Sequence, residues 1–132
     1  MARKMKTEGV LPVVYVAGKY YDEGEWETFQ NIRKAEIIAA KLWPKKIAPI
    51  CPHKNTENFG SIATWGEFMA GSIAILNRCD ALMTVDNWKN SKGAKMEVEF
   101  AQNEGIPIFH NLEDLLKWSE EFREDRKFKD EK

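Results

Sequence analysis

Leu11–Ala17 is an apolar run rich in valine that stops at Gly18. A run with no polar alternation suits a strand buried on both faces, and such strands belong to parallel sheets covered by helices on both sides. The rest of the chain supplies the helices. From about Glu25 to Trp43, the residues Trp26, Phe29, Ile32, Ala35, Ala39 and Leu42 recur at helical spacing until Pro44 ends the pattern. Lys46–Cys51 predicts a second strand, with Pro49 placing it at an edge or ending it early. Residues 52–64 are polar and turn-rich, long enough for a functional loop. Trp65–Asn77 reads as a helix with Trp65, Phe68, Met69, Ile75 and Leu76 on or near one face.

Ala81–Val85 predicts a third strand and Asp86–Asn90 a loop. Ser91 is placed to cap a helix that runs to about Glu104 and ends at Gly105. Ile106–Phe109 gives a fourth short strand, and Leu112–Phe122 a last amphipathic helix with apolar positions at 112, 115, 116 and 118. Strands alternating with helices imply an α/β fold with a parallel sheet and right-handed crossovers. The 132 residues suffice for one domain. That domain is expected over residues 11–122, between a flexible N-terminus (1–10) and a charged, frayed tail (123–132). No internal repeat is visible.

Composition narrows the function classes. A net charge of −1 gives no electrostatic pull toward nucleic acid or an anionic membrane. No apolar run approaches the roughly 18–20 residues of a membrane span. Met1–Gly9 is basic but leads into no signal-like segment, so a cytoplasmic location is the default. Cys51 and Cys79 show no metal-ligand spacing and read as small buried residues in a reducing compartment. His53 and His110 are remote from each other in sequence, so no metal site is expected.

In parallel sheets ligands bind beyond the carboxyl ends of the strands, which directs attention to Gly18 and to Asp86–Gly93. At about 100° per residue, Ala94, Glu97, Val98 and Ala101 share one side of their helix, while Glu99 points nearly opposite. A carboxylate on the sheet-facing side, close to the strand ends, is placed for partial burial and a tuned pKa, as an acid or nucleophile requires. The plainer reading pairs Glu97 with Lys95 or leaves it solvated. Ser91-Lys92-Gly93-Ala94 offers free N–H groups, a hydroxyl and a cation to an anion; equally, it is a cap and a close-packing glycine.

Gly18-Lys19-Tyr20-Tyr21 adds a second cation facing the same crevice. It is not a GxGxxG fingerprint, so no dinucleotide cofactor is indicated, nor any other cofactor. Tyr15 lies inside an apolar strand, either as a core aromatic whose hydroxyl finds a partner or as part of a site. Trp88 and Trp65 are candidate stacking surfaces, though tryptophans near loops more often pack. His53 and Asn55, in the long loop, are further candidate substrate contacts.

Val13-Val14-Tyr15-Val16-Ala17-Gly18, then Cys79-Asp80-Ala81-Leu82-Met83, then Ser91-Lys92-Gly93-Ala94-Lys95-Met96-Glu97-Val98-Glu99-Phe100-Ala101, occur in the order seen in the nucleoside 2-deoxyribosyltransferase superfamily. Over roughly residues 11 to 110 the chain resembles that superfamily, above all its small DUF4406-like members and the 2′-deoxynucleoside 5′-phosphate N-hydrolases. The resemblance implies a Rossmann-like three-layer domain with four or five parallel strands, a homodimer, and a nucleoside or nucleotide as the small-molecule partner. It makes Glu97 a nucleophile at C1′ and Tyr15 an active-site tyrosine. Ser91 stands where the nucleotide-hydrolysing branch has a phosphate-contacting serine and the transferase branch an aspartate. One position departs: counting back from Asp80, the hydrolases' catalytic aspartate falls on Ser72, and a serine cannot protonate a leaving base as a carboxylic acid does. Asp86, Glu67 and Asp22 are the candidate substitutes.

Three readings follow. The first is an N-glycosidase hydrolysing a (deoxy)nucleoside 5′-monophosphate, or a deoxyribosyltransferase, using Glu97, Tyr15 and Asp86, with Gly18, Lys19, His53, Asn55, Trp88, Ser91, Lys92 and Gly93 holding substrate. The second is a nucleotide-binding or sensor module without catalysis. The third is an interaction protein whose crevice is filled by side chains.

Overall fold

Four short strands and five helices make up the described part of the computed structural model, which covers residues 10–55 and 62–130, with side chains through 126. The strands β1 (Val13–Ala17), β2 (Ala48–Ile50), β3 (Ala81–Thr84) and β4 (Ile108–Phe109) form one parallel sheet in the order β2-β1-β3-β4. Val13 pairs with Ala48 on one side of β1, and Val14 with Ala81 on the other. Asp80 locks this register, since its carboxylate accepts from Val13 N at 2.8 Å while its own N–H donates to Val13 O at 2.8 Å.

The helices α1 (Glu25–Leu42) and α5 (Leu112–Asp130) cover one face, and α3 (Trp65–Leu76) and α4 (Lys92–Glu104) the other. Period-two alternation along β1 divides the core. Val14 and Val16 join Ala35, Ala39, Leu42 and Leu115; Tyr15 and Ala17 join Leu76, Val98 and Ala101. This is the α/β three-layer arrangement expected, with four strands.

Several expectations are corrected. The long connection after β2 contains one helical turn, α2 (Pro52–Asn55), followed by residues 56–61, which lie outside the described part. On α1 the buried stripe is Ile32, Ala35, Ala39 and Leu42, whereas Trp26 and Phe29 are exposed and stack on each other at 5.6 Å. Trp65 is also exposed. Cys51 and Cys79 are free thiols, half-buried rather than buried. The charged tail does not fray where expected: α5 continues to Asp130, tied back through Arg123, which donates to Ser119 Oγ at 3.2 Å and to Lys45 O at 3.3 Å. Residues 1–9 of the expected flexible N-terminus, and 131–132, lie outside the described part. Among the described residues no helix is long and apolar enough to cross a membrane.

Candidate functional site

From β1 the chain crosses to β2 on one side, and β3 then lies on the other, so the sheet order reverses beside β1. A crevice opens at such a switch point because the two connections leave in opposite directions. Gly18 stands at its floor. A Cβ there would come within 2.6 Å of Val85 and 3.1 Å of Asn87 Oδ1, so only glycine lets the two strand ends meet. Beyond them is an open cavity of about 440 Å³, which removes the reading of a filled crevice.

Glu97 reaches this cavity from the second turn of α4, on the side its spacing predicts: Ala94, Glu97, Val98 and Ala101 are the buried residues of that helix, and Glu99 is exposed. Glu97 is 6% exposed, and among the described residues no cation pairs with it. Its partner is the fully buried Tyr15, whose hydroxyl donates to Glu97 Oε2. Lys95 is exposed and makes no such pair. Burial pushes the Glu97 carboxyl up to about 7, against the lowering effect of the Tyr15 hydrogen bond. Tyr15 in turn is held well above the ordinary phenol range, first by burial and then by the Glu97 charge, while the Ser72 hydroxyl beside it acts in the opposite sense.

Ser91 caps α4, its Oγ accepting from Ala94 N at 3.1 Å. The first-turn N–H groups of a helix lack intrahelical partners, and here the first-turn residues Lys92 and Gly93 line the cavity. Lys92 rests its ammonium 5.0 Å from the Trp65 ring centre. Lys19 lines the opposite wall, paired with Asp22 at 3.0 Å. His53, 4% exposed, donates from Nε2 to Lys19 O at 2.8 Å; burial depresses its pKa, against the raising effect of that hydrogen bond. Ala63, Trp65, Phe68 and Met69 form an apolar wall, and Ser72 lies on it.

Of the residues singled out from sequence, Gly18, Lys19, His53, Ser91, Lys92, Gly93 and Glu97 line one cavity, with Tyr15 hydrogen-bonded beneath it. Three fall elsewhere. The Asp86 side chain is 80% exposed and paired with Lys34 at 3.4 Å. Trp88 turns toward β4 and stacks on His110 at 5.6 Å. Asn55 is exposed at the end of α2. The other candidate acids are not among the described lining residues: Glu67 closes a capping box with Thr64, and Asp22 pairs with Lys19.

Sequence reading missed Asn87 and Asn31. Asn87 Oδ1 accepts from Lys19 N at 3.0 Å, Asn87 Nδ2 donates to Asn31 Oδ1 at 3.2 Å, and Asn31 Nδ2 donates to Tyr20 O at 3.3 Å. The pair straps the loop after β1 across the strand ends. No periodicity marks two amides 56 positions apart.

This arrangement of sheet, switch-point cavity and helix start has the fold of a known solved structure, "2-desoxiribosyltransferase from Leishmania mexicana". The likeness has a TM-score of 0.54 at 17% identity, covering 74% of this chain and 61% of that one. The chain thus spans about 61% of the length of that protein, and at this identity the likeness is one of fold. The chain belongs to the family described as "Domain of unknown function (DUF4406)", whose model matches residues 12–110. No curated protein matches the sequence.

Proposed function

We propose that the protein cleaves the N-glycosidic bond of a nucleoside 5′-monophosphate, with Glu97 as the nucleophile. One observation carries this reading: Glu97, 6% exposed, hydrogen-bonded by a buried tyrosine and with no cation on it among the described residues, lines an open cavity near the start of α4. Burial of an acid without a cation is unfavourable for folding alone, and such sites are functional candidates.

The cavity walls suit the two ends of a nucleotide. Trp65, Phe68 and Met69 offer apolar surface to a base. Ser91, Lys92 and Gly93 offer a hydroxyl, a cation and N–H groups to a phosphate. Capping uses the Ser91 oxygen as acceptor and leaves its hydroxyl proton to donate to a phosphate oxygen. The sugar then lies between, with C1′ toward Glu97. The carboxylate attacks C1′ as the C1′–N bond breaks, and the base leaves with the electron pair. Water hydrolyses the resulting glycosyl ester, giving net retention. The solved deoxyribosyltransferase supports nucleoside chemistry on this fold. Ser91 supports a phosphorylated substrate with water as the acceptor.

The test is base release from a panel of ribo- and deoxynucleoside monophosphates, followed by chromatography. Glu97→Ala lowers release at least about a thousand-fold, and trapping yields a sugar adduct on Glu97. No release from any common nucleotide at high enzyme concentration overturns the reading. A second reading is favoured by one fact: among the described residues lining the cavity, Glu97 is the only acid. It is a nucleotide-binding module, whose signature is ligand-induced thermal stabilisation without turnover.

A further inference from the structure

We propose that Asn31 and Asn87 are positioning residues for the nucleotide: with His53 they hold the Lys19–Tyr20 backbone as a preformed cavity wall, and so set substrate affinity rather than the rate of bond cleavage. This rests on the reading of the cavity as a nucleotide site.

Gly18, Lys19, Tyr20 and Tyr21 all line the cavity, yet they belong to a connection, the kind of segment that moves unless something holds it. Three side chains from three different parts of the chain do so. Asn87, in the connection after β3, accepts from Lys19 N through Oδ1 at 3.0 Å. His53, on α2, donates from Nε2 to Lys19 O at 2.8 Å. Asn31, on α1, donates from Nδ2 to Tyr20 O at 3.3 Å. Both polar groups of the Lys19 backbone are thus taken by side chains. Further along, Asp22 is fixed in the same way, its N–H donating to Thr28 Oγ1 at 2.9 Å.

The two amides also bind each other, Asn87 Nδ2 donating to Asn31 Oδ1 at 3.2 Å. The result is a circuit that leaves the loop at Lys19 N–H, passes through Asn87 and Asn31, and returns at Tyr20 O. Its polarity is fixed from both ends. A backbone N–H can only donate and a carbonyl oxygen can only accept, so each amide has a single orientation that satisfies the circuit. A side chain at either position must accept on one side and donate on the other. An ionised aspartate would set oxygen against oxygen, at position 87 against Asn31 Oδ1 and at position 31 against Tyr20 O.

The loop that the circuit holds faces the ligand, whereas Asn31 and Asn87 themselves are not among the residues lining the cavity. Glu97 and Tyr15, on α4 and β1, are joined to each other rather than to the circuit. Freeing the loop therefore leaves the reacting groups in place and makes the ligand order the wall on arrival. That cost falls on bound substrate and transition state alike, so KM rises while kcat changes little.

The experiment measures KM and kcat for wild type, Asn31→Ala, Asn31→Asp and Asn87→Asp on the deoxynucleoside monophosphate that wild type cleaves fastest, together with hydrogen exchange at the Lys19 amide. Each variant is expected to raise KM about ten-fold or more, with kcat within about three-fold of wild type. Asn31→Ala adds no charge, so its agreement with the aspartates separates loss of the circuit from repulsion of a phosphate. It also carries the test if an aspartate variant does not fold. Exchange at Lys19 should quicken in Asn31→Ala, although that amide is bonded to Asn87 and not to Asn31. Combining Asn31→Ala with Asn87→Ala should raise KM by less than the product of the single effects, since both break one circuit. An unchanged KM in Asn31→Ala, a loss confined to kcat, a rise in the aspartates alone, or effects that multiply in the combined variant would each overturn the positioning role and leave the N-glycosidase reading standing. If wild type binds these nucleotides without cleaving them, Kd replaces KM: a loss of about ten-fold in the variants upholds the positioning role while the N-glycosidase reading falls. If wild type neither cleaves nor binds them, both fall.

Discussion

β1 hands its side chains alternately to two unlike environments. Val14 and Val16 meet α1 and α5, where Ala35, Leu42, Ile47 and Leu115 close into dense hydrocarbon. Tyr15 and Ala17 meet α3 and α4, where a tyrosine and a carboxyl group are sealed together and a cavity opens beside them. The helices differ accordingly. α1 buries four residues, Ile32, Ala35, Ala39 and Leu42, whereas α3 fully buries only Leu76 and leaves space along its length. One face of the sheet is organised for stability. The other gives up packing to keep polar groups in a low-dielectric setting, where electrostatic effects are stronger.

Substitutions on the two faces should therefore separate stability from ligand chemistry. Leu115→Ala, on the α1/α5 face, removes a fully buried side chain and is expected to cost about 2–5 kcal/mol. Urea denaturation measures that loss, while nucleotide affinity below the transition stays unchanged. A comparable change in affinity would show the faces to be coupled.

Glu97→Gln tests the opposite face. A raised carboxyl pKa means that the native state holds more protons than the unfolded chain between the ordinary value of 4.5 and about 7. Stability from this group is fully present below 4.5 and is lost as pH rises through about 7. Glutamine does not titrate. The variant should match wild type near pH 4 and become more stable by roughly 3–4 kcal/mol above pH 8, at about 1.4 kcal/mol per pKa unit. Thermal melts across that range check it; a constant difference would mean that Glu97 is not the titrating group.

Gly18→Ala acts where the faces meet. Its Cβ would press on Val85 at 2.6 Å, and overpacking of this kind costs about 1–3 kcal/mol. It should also displace the loop that carries Lys19, weakening nucleotide binding together with stability. The smallest effect expected is that of Ser91→Ala. Loss of the cap on α4 costs about 0.5–2 kcal/mol, and it should weaken nucleotide binding more than nucleoside binding in paired titrations.

Much of this contrast was legible in the chain, and the failures have physical causes. Valine-rich β1, the edge position of β2, the Ser91 cap and the inward side of Glu97 all follow from local spacing, and local spacing is retained on folding. α2 was hidden because one turn, Pro52–Asn55, has no periodicity to show. The helical tail was hidden because its charged composition says nothing of Arg123 on Ser119 or of Arg126 over the Phe122 ring at 3.2 Å. Asp86 and Trp88 were placed at the site through sequence proximity to Ser91. A 3₁₀ turn over Trp88–Asn90 separates them from it, sending the indole to His110. The Asn31–Asn87 strap depends on which elements end up adjacent, which local pattern does not encode.

Pro49 has a consequence beyond its own strand. A four-stranded open sheet has two margins, and here they are β2 and β4, three and two residues long. Ala48 N donates inward to Pro12 O at 2.9 Å, so by strand alternation the next nitrogen faces outward. In β2 that nitrogen belongs to proline and carries no hydrogen. An incoming strand would find no donor there and little length at either margin, so the sheet does not template its own extension, and the apolar strands it contains are kept from fibrillar pairing.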